Sequence, residues 1–350
     1  MLGNLITTSS IIFLATIQIL LYCVFIKFKN TVIVDPHLGV QNTNYMLSPR
    51  IGGVIIIINI YLATLFFNIK PIFFDLKIIL CVIIIGIISI KEDIFGNVNP
   101  YIRLLSVLIC SFLFAFEYKY NLIFEFELIN QIFQNNYLYI IIITLSLTAF
   151  PNGLNIIDGM NGLVCLSLIC IVSSLLIINQ DNINNTNDIL SILSIFLFVF
   201  LIFNFPKGYI FFGDSGCYLI GWILGIFIID MYAKNVELSI WNIILICSYP
   251  SFEVIFSYFR KLFEGKSPFQ PDKKHIHLKT YYFIKERYIN DLEKKNYIVT
   301  IILLPLWAFP TLFTYFIYIG FLTPKIFLMI QILIYTSYYL IIPETKKLSK

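Results

Sequence analysis

Three polar runs interrupt an otherwise apolar chain: Asn152-Gly153-Leu154-Asn155-Ile156-Ile157-Asp158-Gly159-Met160-Asn161-Gly162, Phe212-Gly213-Asp214-Ser215-Gly216, and His275-Ile276-His277. Carboxylates, carboxamides and imidazoles hold cations and phosphate oxygens, and all of them are costly beside hydrocarbon. Their repeated placement at the ends of apolar stretches points to an active site at a membrane surface. In the first run Asn152, Asn155, Asp158 and Asn161 recur every three residues, which keeps them on one slowly rotating face of a helix. Glycines 153, 159 and 162 make a kinked entry equally plausible. Either geometry crowds amide and carboxylate oxygens, suiting a hard cation such as magnesium and donor groups for a nucleobase; turn-forming Asn-Gly pairs are the structural alternative. Asp214 opens an apolar stretch beside free backbone N–H groups, where an acid is also a common N-cap, so the tetrapeptide leaves ligand and cap both open.

Further charged groups lie nearby in the sequence pattern. Glu92 and Asp93 end an apolar stretch, where the helix terminus already carries partial negative charge, so a cation or a basic residue such as Lys91 or Arg103 should offset them. The run Pro49-Arg50-Ile51-Gly52-Gly53 opens another helix. Glycines beside an arginine can hold a phosphate there, or can simply let two helices pack closely. His275 and His277 follow Lys273 and Lys274 with no Cys or third His near, which suits an anionic group such as a diphosphate better than zinc.

These groups must be positioned by elements embedded in lipid. Hydrophobic residues make up 59% of the chain and charged residues 13%, and mean hydropathy is +0.87; a soluble globular domain is excluded. Spanning hydrocarbon takes roughly 20 apolar residues, and eleven candidate stretches fall near 7–27, 52–69, 72–90, 102–118, 136–150, 162–179, 188–204, 216–233, 239–258, 298–320 and 323–342. The expectation is an all-α polytopic membrane protein, one domain over 1–350, with about 11 transmembrane helices. Pro250 and Glu253 inside the ninth stretch predict a bent or broken helix. Of the 24 basic residues, all but Lys70, Lys77, Lys119, Lys234 and Lys325 fall on one side, which predicts the N-terminus outside and the C-terminus cytoplasmic. Loops 28–51, 91–101, 151–161, 205–215 and 259–297 then share the cytoplasmic face and form the site. The charged, aromatic stretch after His277 reads as an amphipathic helix on the membrane surface.

Other features carry less. The first stretch lacks a charged n-region and a cleavage site and reads as a retained helix. Seven scattered cysteines read as small buried hydrophobes, and Asn184-Asn185-Thr186 as a chance sequon in a short loop. Net charge +4 is accounted for by topology and anionic headgroups, with no nucleic-acid partner implied.

Taken in order, Pro49 to Gly53, Glu92-Asp93 with Arg103, Asn152 to Leu163, Gly213-Asp214 and Ser267-Pro268-Phe269 to His277 resemble, over nearly the full chain, the polyprenyl-phosphate N-acetylhexosamine-1-phosphate transferases (MraY/WecA-like, glycosyltransferase family 4). The Ser-Pro-Phe-x-Pro-Asp-x-x-His-x-His run looks like the O-antigen-initiating branch rather than the lipid I branch. The resemblance implies Mg²⁺-dependent transfer, with Mn²⁺ a possible substitute, of an N-acetylhexosamine-1-phosphate from a UDP-sugar to undecaprenyl phosphate, releasing UMP. UDP-N-acetylglucosamine is the expected donor, although the motifs leave the choice of amino sugar open, and a direct displacement needs fewer assumptions than a covalent intermediate. The implied setting is the bacterial inner membrane, with a cytoplasmic active site in the first membrane step of O-antigen or other envelope polysaccharide synthesis, and with a homodimer allowed.

By the same resemblance Asp214 and Asn155 are metal ligands, with Asp158, Asn161 and Asn152 near nucleotide or metal. Asp93 would position or deprotonate the lipid phosphate with Glu92 beside it, Arg103 and Arg50 would contact phosphate, and His275 and His277 would hold the diphosphate. Three positions depart from the pattern: Glu92, Asn161 and Glu253 each stand where an Asp is usual, and each keeps an oxygen. A catalytically impaired scaffold would explain those changes but not the intact motifs. A transporter or lipid flippase would place ionisable groups near the bilayer midplane, whereas these acids sit at one interface.

Overall fold

Hydrocarbon offers no water to backbone N–H and C=O groups, so long apolar stretches close their hydrogen bonds internally as helices. The computed structural model describes residues 2–28, 48–67, 69, 75–180, 185–235, 238–267, 273–288 and 295–343, with the side chains of 2–8 and 185 set aside. Asp35-Pro36-His37, Asn184 of the sequon and Pro268 to Asp272 lie outside the described residues. Every element among the described residues is helical: α1 (Leu2–Lys27), α2 (Gly52–Phe66), α3 (Leu76–Phe95), α4 (Pro100–Glu117), α5 (Glu127–Gln134), α6 (Asn136–Ile157), α7 (Leu163–Ile178), α8 (Asn185–Asn204), α9 (Gly213–Lys234), α10 (Ile240–Ile246), α11 (Ser248–Phe263), α12 (Ile276–Arg287), α13 (Tyr297–Ile302), α14 (Leu304–Trp307), α15 (Phe309–Tyr318) and α16 (Pro324–Ile341).

Each of the eleven apolar stretches is helical, but not each as one span. Six helices are long and apolar enough to cross a membrane, seven if α10 and α11 count as one span bent by 78°. That bend, at Cys247, is the break expected from Pro250, which sits in the first turn of α11. Helices α2 and α7 are apolar but shorter, and the stretch 298–320 is divided into α13, α14 and α15. The expected count of eleven therefore exceeds what helix length and hydropathy alone support.

Helix α9 is the axis of the fold. Every residue from Gly213 to Ile228 is buried, as befits a helix apolar on all sides, and α6, α3 and α2 pack around it. Small residues make the close approaches: a Cβ on Gly53 would collide with Gly216, one on Gly221 would lie 2.9 Å from Pro151 Cα, and one on Gly225 would lie 2.7 Å from a Leu147 methyl.

Two loop expectations are corrected, and the acids expected at a helix terminus are found there. Residues 151–157 are helical, because α6 runs on through Pro151, wedged between Gly221 of α9 and, at Gly153, Pro250 of α11. Glu92 and Asp93 belong to the last turn of α3, which stops at Gly96 with a left-handed φ of 61°. The segment after His277 is not a surface-lying amphipathic helix: Ile276 to Tyr281 are six consecutive buried residues of α12, and no one-faced helix buries six in a row.

Candidate active site

The first turn of α9 gathers the acidic residues. A helix start leaves backbone N–H groups without partners, and Phe212 at the N-cap position offers no side-chain acceptor. Acids from other elements supply the acceptors. Gly213 N donates to Asp158 Oδ2 at 3.2 Å, Asp214 N to Asp93 Oδ1 at 2.8 Å, and Ser215 donates from N (2.9 Å) and Oγ (2.5 Å) to Asp93 Oδ2. Gly213 has φ +81°, and a Cβ there would lie 2.7 Å from the Arg50 carbonyl oxygen and 2.9 Å from Asp93, so only glycine fits. With three donors on its two oxygens, Asp93 caps α9 and fixes Asp214. Asp214 Oδ2 pairs with Arg103, whose guanidinium also lies 3.6 Å from Glu92 Oε1. Glu92 Oε2 accepts from Val98 N at 2.8 Å, tying down the turn between α3 and α4.

The glycine pair takes its packing role, not the phosphate-binding one. Gly52 N and Gly53 N donate at 3.0 Å to the carbonyls of Phe211 and Phe212, and Phe211 N donates to Pro49 O at 2.9 Å. Those N–H groups are spent holding the loop that delivers Gly213 and Asp214. Arg50 lies beside Asp158 and favours its charged form, so its guanidinium is still at the site.

Asn152 and Asn155 meet at a residue that the motif reading missed. Asn152 Nδ2 donates to Thr148 O at 2.7 Å, Tyr218 Oη donates to Asn152 Oδ1 at 3.2 Å, and Asn155 Nδ2 donates to Tyr218 Oη at 3.4 Å. Tyr218 stands four residues after Asp214 on α9, the spacing that shares a helix face. A hydroxyl four residues after an aspartate on an apolar helix was the available signal. Asn161 is turned elsewhere: its Nδ2 donates to Pro206 O at 2.8 Å, its N to Asn296 Oδ1 at 3.3 Å, and its carbonyl accepts from Thr300 at 2.8 Å. It locks two loops together.

The imidazoles approach from α12. Glu253, buried in α11, accepts from Ile276 N at 3.2 Å and lies 3.0 Å from His275 Nδ1. The two imidazoles stack with centroids 5.9 Å apart. His277 packs on Gly159, where a Cβ would lie 3.1 Å from its Nε2, which brings the histidine run against the asparagine run. Burial, and then His275, push His277 well below the ordinary histidine value, so the ring is neutral at pH 7.

Four acids, Glu92, Asp93, Asp158 and Asp214, thus face Arg50 and Arg103. Burial chiefly, then Asp214 and Asp93, push Asp158 up to about 8 against the opposing pull of Arg50 and Gly213 N. Among the described residues no three His, Cys, Asp or Glu side chains form a ready cation cage. Two hard oxygens, Asp214 Oδ1 and Asn155 Oδ1, accept no hydrogen bond from the described residues. That donor set fits magnesium, which favours one or two protein oxygens plus waters and substrate phosphates.

Residues 76–232, which carry α3 to α9 and most of this site, match the family described as glycosyl transferase family 4. The chain is 32% identical over 126 residues to an undecaprenyl-phosphate alpha-N-acetylglucosaminyl 1-phosphate transferase of Thermotoga maritima, covering 36% of this chain and 38% of the relative. It is 25% identical to a probable undecaprenyl-phosphate N-acetylglucosaminyl 1-phosphate transferase of Bacillus subtilis, covering 66% and 65%. A decaprenyl-phosphate N-acetylglucosaminephosphotransferase of Mycobacterium leprae is 28% identical over 39% and 40%. The aligned part spans less than two thirds of the length of each of these relatives.

Proposed function

We propose that this chain, whose residues 76–232 match glycosyl transferase family 4, transfers N-acetylhexosamine-1-phosphate from a UDP-sugar, UDP-N-acetylglucosamine first among candidates, to undecaprenyl phosphate, releasing UMP. The observation that carries this reading is the pairing of an acid-rich helix start at Asp214 with a buried His275–His277 pair that meets the same site at Gly159. Phosphoryl transfer needs charge neutralisation and alignment more than covalent help. When bound, Mg²⁺ supplies several kcal/mol of charge stabilisation on the transferred phosphates; Asp214 and Asn155 would hold it.

The remaining roles fall to the chain itself. Arg103 holds Asp214 in place through its ion pair and offers further N–H donors to phosphate oxygens. Neutral His277 presents a ring nitrogen without carrying charge, and Glu253 orients His275. Asp93 stays a cap. The lipid phosphate is already a nucleophile, so one in-line displacement suffices. The basic-residue asymmetry supports a cytoplasmic site, and the bacterial relatives support a setting in the inner membrane of a bacterium, with the product entering O-antigen or other envelope polysaccharide synthesis.

The test is UMP release from purified protein given undecaprenyl phosphate, Mg²⁺ and a panel of UDP-N-acetylhexosamines, with an Asp214→Asn control. Metal-dependent UMP from one donor supports the reaction and names the sugar; no UMP from any donor, with folded protein, overturns it.

A further inference from the structure

The hydrogen bonds through Tyr218 run in one direction only. They end on Thr148 O, a backbone carbonyl that accepts and never donates. That end fixes Asn152 with Nδ2 toward Thr148 and Oδ1 toward Tyr218. An oxygen at Tyr218 can only be met by a donor, so the phenol proton points to Asn152 and its lone pair receives Asn155 Nδ2. The leftover end of the chain is Asn155 Oδ1. Without the phenol oxygen, the Asn155 carboxamide has no reason to prefer oxygen outward, and its alternative face presents N–H donors that repel a cation.

Tyr218 is 4% exposed, lies one turn from Asp214 on α9, and is within electrostatic reach of both Asp214 and Arg103. We propose that Tyr218 is a positioning residue: its hydroxyl sets the Asn155 carboxamide so that Oδ1 is the ligand offered beside Asp214. This rests on the reading of Asp214 and Asn155 as cation ligands. In this role its effect passes through Asn155, to which its hydroxyl is bonded.

The experiment is a double-mutant cycle read by Mn²⁺ binding, using the electron paramagnetic resonance signal of free Mn²⁺ over purified protein, without substrate or turnover. Tyr218→Phe keeps the ring and removes one oxygen. It should weaken Mn²⁺ binding about 10- to 100-fold, the usual cost of losing a group that orients a metal ligand. In an Asn155→Asp background, where both ligand oxygens are equivalent and orientation no longer matters, the same change should cost under about threefold, the scale of coupling error between independent sites. Equal losses in both backgrounds, or no loss in the first, overturn the proposal while leaving the cation site standing. Wild-type protein that binds no Mn²⁺ overturns the cation site and this inference together. Thermal unfolding of Tyr218→Phe within a few degrees of wild type excludes a general packing defect as the cause.

Discussion

Among the described residues, α9 and α12 both start without a side-chain cap of their own, and both borrow one from a distant acid. At α9 the borrowed acid is Asp93, 121 residues before Asp214; at α12 it is Glu253, 23 residues before Ile276. The device is the same and the chemistry opposite. The first residues of α9 add an acid, Asp214, to the capping acid, and a second borrowed acceptor, Asp158, joins them. The N-cap residue of α12, His275, and its second residue, His277, carry imidazoles, and the capping acid faces donors from His275 and Ile276. One start therefore concentrates negative charge suited to a cation, the other nitrogen donors suited to phosphate oxygens, and Gly159 is where they touch. A cap from another helix does more than a local one, because it fixes the side chains of the first turn relative to a second element.

Asp214→Asn should show the largest contrast: turnover falls about 100- to 1,000-fold, the equivalent of losing several kcal/mol of charge stabilisation, while thermal unfolding barely moves. Asp93→Ala should lose activity and stability together, because it strands Asp214 N, Ser215 N and Ser215 Oγ at roughly 1–3 kcal/mol for each buried group left unpaired. A melting curve of that variant matching wild type would remove the capping role.

Glu253→Gln separates cap from charge at the other start. Its remaining oxygen still accepts from Ile276 N, so stability should hold, while the misdirected His275 costs about tenfold in kcat/KM for the UDP-sugar, the scale of one charge-assisted hydrogen bond. Glu253→Ala should lose both.

Next in size is a pH effect. The raised Asp158 keeps its proton in the cation-free fold while the unfolded chain ionises in the ordinary carboxylate range, so cation-free stability falls as pH rises toward about 8 and levels above it. Proton and cation compete for the same charge, so Mn²⁺ affinity should rise between pH 6.5 and 8.5; equal affinity at both ends would detach Asp158 from the site. The smallest expected effect belongs to Asn161→Ala, which should lower the melting temperature with little change in KM for the donor. A KM raised tenfold would return Asn161 to nucleotide binding.

Residue by residue, the sequence was most readable where one physical constraint acted alone. Pro250 announced a break, which falls three residues upstream at Cys247. The glycines at 52 and 53 announced either phosphate or packing, and the choice depended on which carbonyls reached their N–H groups first. Asn161 carried the same regular spacing as Asn155, yet the chain bends after Asp158 and turns it toward Pro206 and Asn296. Tyr218 was silent as a motif because its partners lie more than sixty residues away.

What the sequence determined by itself is therefore local and additive: apolar length makes helices, Asp, Asn and His at their ends mark the chemistry, and the distribution of Lys and Arg favours one orientation. The tertiary structure decided which lone pairs are already spent. Asp93, in the last turn of α3, and Asp214, in the first turn of α9, are the same residue type, but one has three donors on its oxygens and the other keeps an oxygen free. A hydrogen bond between distant helices belongs to neither segment alone, and in a low-dielectric interior it determines whether a carboxylate is structure or reagent.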